Sequence, residues 1–149
     1  MSTSPAKAKR AAIPRPSASI VLISPRNQIL LLHRVQTSSS FPSAHVFPGG
    51  NLSAQDGIIP DVEDPARHQD GIVYRNAALR ECFEECGILL AKTNVGSGDV
   101  QEAQMVMVEE KEREETRRKV HAEEVRFLEW VKGKGGMVDV GKYSLTQTG

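Results

Sequence analysis

The stretch Ala77-Ala-Leu-Arg-Glu-Cys-Phe-Glu-Glu-Cys-Gly-Ile-Leu-Leu-Ala91 constrains this chain more than any other. It has no helix breaker until Gly87, and an apolar run follows that stop. At about 100° per residue, Leu79, Cys82, Phe83 and Cys86 fall on one face. Glu81, Glu84 and Glu85 fall on the opposite face, with Arg80 beside them. The pattern predicts a helix over about 73–86 with Gly87 as its stop, one side packed on a core. Like charges at i, i+3 and i+4 weaken an isolated helix by roughly 0.2–0.5 kcal/mol per pair. A divalent cation would remove that cost, and hard carboxylate oxygens suit Mg²⁺ or Mn²⁺. A solvated acidic face is the competing reading of the helix taken alone.

The segment upstream decides between them. Val46-Phe-Pro-Gly-Gly50 is a strand-like run that closes on a proline and two glycines, which let backbone approach a ligand closely. A Gly-Gly loop followed by Arg-Glu-x-x-Glu-Glu-x-Gly-apolar is a specific combination. Gly50 together with Arg80 to Ile88 resembles the Nudix box: Gly, five residues, Glu, seven residues, Arg-Glu-apolar-x-Glu-Glu-x-Gly-apolar. The similarity runs from about Ser17 to Val140 and is greatest to the subgroup with coenzyme A-hydrolysing peroxisomal members.

Two departures stand out. Cys82 occupies the apolar place after Arg-Glu. The spacing also differs: counting forward from Gly50 puts Asp56 at the first acidic position, while counting back from Arg80 puts Ile72 there. An insertion over 56–74 separates the two counts. Asp56 is a weak candidate for the acid, and Asp61, Glu63, Asp64 and Asp70 read as loop acids.

The resemblance implies an α/β fold, a Nudix-type α/β/α sandwich around a mixed sheet. It implies metal-dependent hydrolysis of a nucleoside diphosphate-linked small molecule, coenzyme A or acyl-CoA first among them. Glu81, Glu84, Glu85 and the Gly50 carbonyl would hold Mg²⁺ or Mn²⁺. Arg80 would orient a catalytic glutamate. Gly49, Gly50 and Arg34, the last at a strand end, would meet substrate.

The rest of the chain sets bounds. The 149 residues fit one domain, and 39% hydrophobic with 26% charged residues is ordinary for a folded protein. Net charge is zero, but no acid precedes Asp56. The first 55 residues carry +6 and the remainder −6. Residues 1–16 read as a disordered basic tail. Their composition permits a mitochondrial presequence, against which Pro5, Pro14 and Pro16 argue. No apolar run is long enough for a membrane span. Gln147-Thr-Gly149 is not a peroxisomal address. Two cysteines four apart read as reduced thiols, pointing to an intracellular, cytoplasmic or mitochondrial setting. Net neutrality and 5% aromatic residues disfavour nucleic acid.

Strands are expected over 17–24 and 28–35 about a Pro25-Arg-Asn27 turn, into 46–50, and over 88–91. Helix is expected from Gln101 to about Lys132, broken near 120–122, with the charge run Glu109 to Lys119 exposed and laced by i,i+4 pairs. Residues 17–140 form the expected domain, the box spanning 50–88. Residues 141–149 look foreign to the family and could supply one further strand. Gly141-Lys-Tyr143 can be encoded by GGT AAG TAT, so intron read-through into a C-terminally truncated product is the expectation. Ile20, Leu22, Leu30, Leu32 and Phe83 would then lack neighbours and the chain would be poorly soluble. An inactive Nudix remnant is the alternative function.

Overall fold

A computed structural model describes residues 12–38, 41–67, 69–93, 104–138 and 140. The expected N-terminal tail is thus described only from Ala12 onward, and the 141–149 segment lies outside the described residues. Strand β1 (Ser17–Ser19) pairs antiparallel with β4 (Gly49–Asn51). Between them, β2 (Leu32–His33) pairs with β3 (His45–Val46). The expected hairpin joins the two pairs. Ile23 bridges Ile29, the Leu30 N–H donates to the Leu22 carbonyl at 3.0 Å, and Asn27 turns the corner with a φ of 58°. The 17–24 run is therefore not one strand. Its first residues ladder to β4 and its last to the hairpin partner.

Helix α1 (Ile72–Cys86) packs on the β1–β4 pair. It ends as the sequence predicts: Gly87 adopts the left-handed conformation at φ 69°, and its N–H donates to the Phe83 carbonyl at 2.9 Å. A side chain there would be strained, so the glycine is the stop. Strand β5 is Ala91–Thr93, three residues later than expected, and it pairs with β6 (Gly136–Val138).

The expected helix from Gln101 fails at its start. Gln104 to Val106 run extended beside β5, with the Val106 N–H on the Ala91 carbonyl at 2.8 Å and the Thr93 N–H on the Gln104 carbonyl at 2.7 Å. Gln-Met-Val-Met alternates in a way a strand edge can use, and the backbone groups of β5 take that partner. Residues 101–103 are outside the described set. Helix α2 (Glu110–His121) and helix α3 (Phe127–Gly133) follow, the break opening at Ala122 where it was expected and extending to Arg126.

Leu79 and Phe83 of α1, Ala91 of β5, Val106, Val120 of α2, and Phe127 and Val131 of α3 form the core. The Phe83 ring lies 5.3 Å from Phe127 and 5.2 Å from Trp130. Phe83 is fully buried, against the expectation that it would lack neighbours, because α3 supplies them. The aromatic cluster of the C-terminal half packs here, as core. Ile20, Leu22, Leu30 and Leu32 are half-buried, while Val21, Ile23, Ile29 and Leu31 on the other side of the hairpin are exposed. Among the described residues, no helix is long and apolar enough to cross a membrane.

Candidate functional site

Two of the acidic residues of α1, Glu81 and Glu84, are part-buried, while Glu85 is exposed. Nine residues of the helix are buried, among them Arg80, so the two-faced picture of an isolated helix is too simple. Strands β1 and β4 cover the face that carries Arg80 and Glu81. Arg80 sits at the centre. Its Nε donates to Asp56 Oδ1 at 2.7 Å and its Nη2 to Asp56 Oδ2 at 2.9 Å. Nη2 also donates to the Asn51 carbonyl at 3.0 Å. Nη1 donates to Glu84 Oε1 at 2.7 Å and to Glu81 Oε1 at 2.9 Å. Every arm of the guanidinium fork is thereby used.

Burial disfavours the Arg80 charge, but the hydrogen bonds from Asp56 and Glu84 outweigh it and hold its pKa above the usual arginine value. Asp56 is itself 1% exposed. Its loop is tied down locally: Ser53 N–H donates to Asp56 Oδ2 at 2.8 Å, and buried Asn76 of α1 donates to the Asp56 carbonyl at 2.9 Å. Asp56 therefore meets Arg80 as a bidentate partner across 24 residues. Asp61, Glu63, Asp64 and Asp70 have no bond to Arg80. Asp61, Glu63 and Asp64 are exposed, and Asp70 pairs with Arg75 at the start of α1.

The glycine pair lies against the same helix. A methyl group built on Gly50 would stand 2.6 Å from both oxygens of Glu81, so any side chain there would displace the carboxylate. The Gly49 N–H donates to Glu85 Oε2 at 2.8 Å. Glu81 is buried enough that desolvation pushes its carboxyl up. Arg80 opposes the shift, and the negative charges of Glu84 and Glu85 reinforce it.

Helix α2 completes the site. His121 Nδ1 lies 3.1 Å from Glu84 Oε2, and Arg117 Nη1 donates to the Glu84 main-chain carbonyl at 2.9 Å. An open cleft of about 620 Å³ runs between β2–β3 and α2, with Glu84 and Glu85 at its floor. Arg34 lines this cleft from the end of β2. Sequence reasoning did not reach Arg117 and His121. The signal was present: Thr116 and Val120, four apart, are the buried pair of α2, and they bring their neighbours Arg117 and His121 toward α1.

The donor set is chemically suited to a hard divalent cation: three carboxylates beside a strand whose glycine leaves its backbone accessible. Both Glu84 oxygens are engaged, by Arg80 and by His121. Among the described residues, none hydrogen-bonds to Glu81 Oε2 or Glu85 Oε1. Among the described residues, no three His, Cys, Asp or Glu side chains already converge as a ligand set. Each Glu84 oxygen has one such partner, and an ionised carboxylate has a second lone pair on each oxygen for a cation.

Comparison with known proteins agrees with this architecture. A NUDIX domain family model matches residues 13–134. The putative nudix hydrolase 7 of Caenorhabditis elegans is 35% identical over 79 residues, which is 52% of this chain and 23% of that protein. The crystal structure of a NUDIX hydrolase from Alicyclobacillus acidocaldarius superposes with a TM-score of 0.57 at 23% identity, covering 85% of this chain and 57% of that one. The structural likeness establishes an α/β Nudix fold. With a helix, glycine strand and acidic cluster arranged on that fold and a family match over most of its length, the chain belongs to the Nudix domain family.

Proposed function

We propose that this domain hydrolyses the diphosphate of a nucleoside diphosphate-linked small molecule, with coenzyme A or an acyl-CoA as the leading substrate. The observation that carries the reading is the meeting of Glu81 with Gly50 and of Glu85 with Gly49 around an Arg80 locked by Asp56. Glu81, Glu84, Glu85 and the Gly50 carbonyl would hold Mg²⁺ or Mn²⁺. The ion supplies neutralisation of phosphoryl charge and a more acidic water.

The chain's own residues do the rest. Asp56 fixes Arg80, and Arg80 fixes the rotamers of Glu81 and Glu84. Glu81 Oε2, the oxygen that Arg80 leaves free, is the acceptor available to a water. Gly49 N–H holds Glu85 in place. Arg34 meets substrate phosphate from the far wall of the cleft. The setting we infer is intracellular. The coenzyme A assignment rests on the subgroup likeness of the box and its insertion.

The test is purified chain with Mg²⁺ or Mn²⁺ and a panel of coenzyme A, acyl-CoA, ADP-ribose and dinucleotides, cleavage being read by mass. Turnover of a panel member is expected, abolished in Glu85→Gln and in Glu84→Gln, with circular dichroism little changed in both and the thermal midpoint little changed in exposed Glu85→Gln. Full activity in both variants would remove the catalytic reading. Cleavage of ADP-ribose but not of coenzyme A would keep the hydrolase and discard the substrate.

A further inference from the structure

The cleft above Glu84 and Glu85 has cationic side chains on its walls beyond those that hold the carboxylates. Arg118 and His121 of α2 face it from one side, and Arg34 faces it from the end of β2. Arg117 is spent, on Glu114 and on the Glu84 carbonyl. Arg34 and Arg118 are not. Among the described residues, no hydrogen bond or ion pair engages the Arg34 guanidinium. Arg118 has only a long Nε contact to the Glu114 carbonyl at 3.3 Å. Among the described residues, neither arginine is in an ion pair with a carboxylate, and the two line one cleft with Glu84 and Glu85, Arg34 from the end of β2 and Arg118 from α2.

Three carboxylates of α2 form ion pairs with other cations: Glu115 with Lys119, Glu112 with Lys134, and Glu114 with Arg117; Arg118 acts on Glu115 only through space. A cleft whose floor is anionic and whose rims are cationic excludes a bare anion from the floor and seats one between the rims. Arginine forks match phosphate oxygens in geometry as well as charge.

We infer that Arg34 and Arg118, assisted by His121, form a two-sided clamp for a phosphate group of the substrate. The clamp rests on the proposed hydrolytic reading only for its role in turnover; anion binding by the cleft stands independently. The phosphate can be part of the diphosphate or a separate phosphate ester on the same ligand. Arg118 lies on a helix outside the box and touches none of its glutamate side chains, so it sets which phosphorylated ligand is taken rather than performing the chemistry, while His121 touches both the cleft and Glu84.

Metal-free calorimetric titration tests this, with ADP, adenosine 3′,5′-bisphosphate and adenosine as probes. The wild-type chain should bind one or both phosphorylated probes and not adenosine. Preference for ADP assigns the clamp to the diphosphate; preference for the bisphosphate assigns it to the separate ester. Loss of either arginine in Arg34→Ala or Arg118→Ala should weaken binding about tenfold, and the double variant more. Lys119→Ala, a cation on the neighbouring outer face, should leave affinity unchanged. In turnover, the arginine variants should raise KM with kcat little altered, whereas Glu85→Gln should remove kcat and leave metal-free binding intact. Binding lost in the arginine variants sustains the clamp even if no panel substrate is hydrolysed. Affinity and KM unmoved in the double variant, or moved equally by Lys119→Ala, would overturn it.

Discussion

Helices α1 and α2 are built from the same charged residue types, and they use them in opposite ways. On α1, Arg80 is buried and shares its fork among Asp56, Glu84 and Glu81. On α2, the Glu115–Lys119 pair stands in solvent. Both are Arg/Lys–carboxylate contacts at good distances, so distance alone separates nothing. What differs is the alternative open to each group. A surface ammonium that loses its partner regains water, while a buried guanidinium regains nothing. One helix carries its charges as a site and the other carries most of them as a solvated coat, joined where Arg117 and His121 reach Glu84.

The hardest test of that contrast is Asp56→Ala. It leaves the Arg80 charge buried without its bidentate partner, and breaking such a pair costs about 3–5 kcal/mol. Urea denaturation should show the loss as a lowered midpoint at unchanged slope. A cost near that of a surface variant would mean that Arg80 finds water, and the comparison would fail. Arg80→Lys comes next. A lysine keeps the charge but cannot serve both Asp56 oxygens and Glu84 at once. Stability should fall less than in Asp56→Ala, while metal-dependent turnover of the panel should disappear as Glu81 and Glu84 lose their orientation. Arg117→Ala is milder. Its main-chain bond to Glu84 is half-exposed, so the expected loss is about 0.5–1.5 kcal/mol in the same assay. A larger effect would show that α2 holds the site together rather than merely flanking it.

These differences were only partly written in the sequence. The helix, its glycine stop and the Gly-Gly strand were legible, because helical period and left-handed glycine are local properties. The hairpin about Asn27 was legible for the same reason. Asp56 was reached by counting from Gly50 but stayed weak, since burial of one aspartate among several loop acids is decided by packing. Arg117 is hidden inside a charge run whose composition reads as exposed, and His121 lies just past its end. Thr116 within the run and Val120 directly after it fall at helical spacing and turn one edge of α2 inward. The strand edge at Gln104 to Val106 is not legible in the sequence because a partner is needed to reveal it: β5 pairs with those residues, 11 to 15 positions further along the chain.

The smallest effect is expected on the outer face of α2, and it closes the comparison from the other side. In Glu115→Gln with Lys119→Gln, the exposed pair is removed and the helix propensity is nearly kept. The hydrogen bond to Lys119 lowers the Glu115 pKa, and the reciprocal bond raises that of Lys119. By linkage, the carboxylate's share of any stabilisation exists above its unfolded pKa and fades as pH falls through the depressed folded value. The ammonium's share exists below its unfolded pKa and fades as pH rises through the raised folded value. Whatever the pair contributes is therefore confined to the neutral window, where salt also screens it. The thermal midpoint of the double variant at neutral pH should match wild type, and should still match in high salt. A clear drop at low salt that vanishes on adding salt would show that the α2 coat carries stability of its own, and the division between a structural charge cluster on α1 and a solvating one on α2 would have to be redrawn.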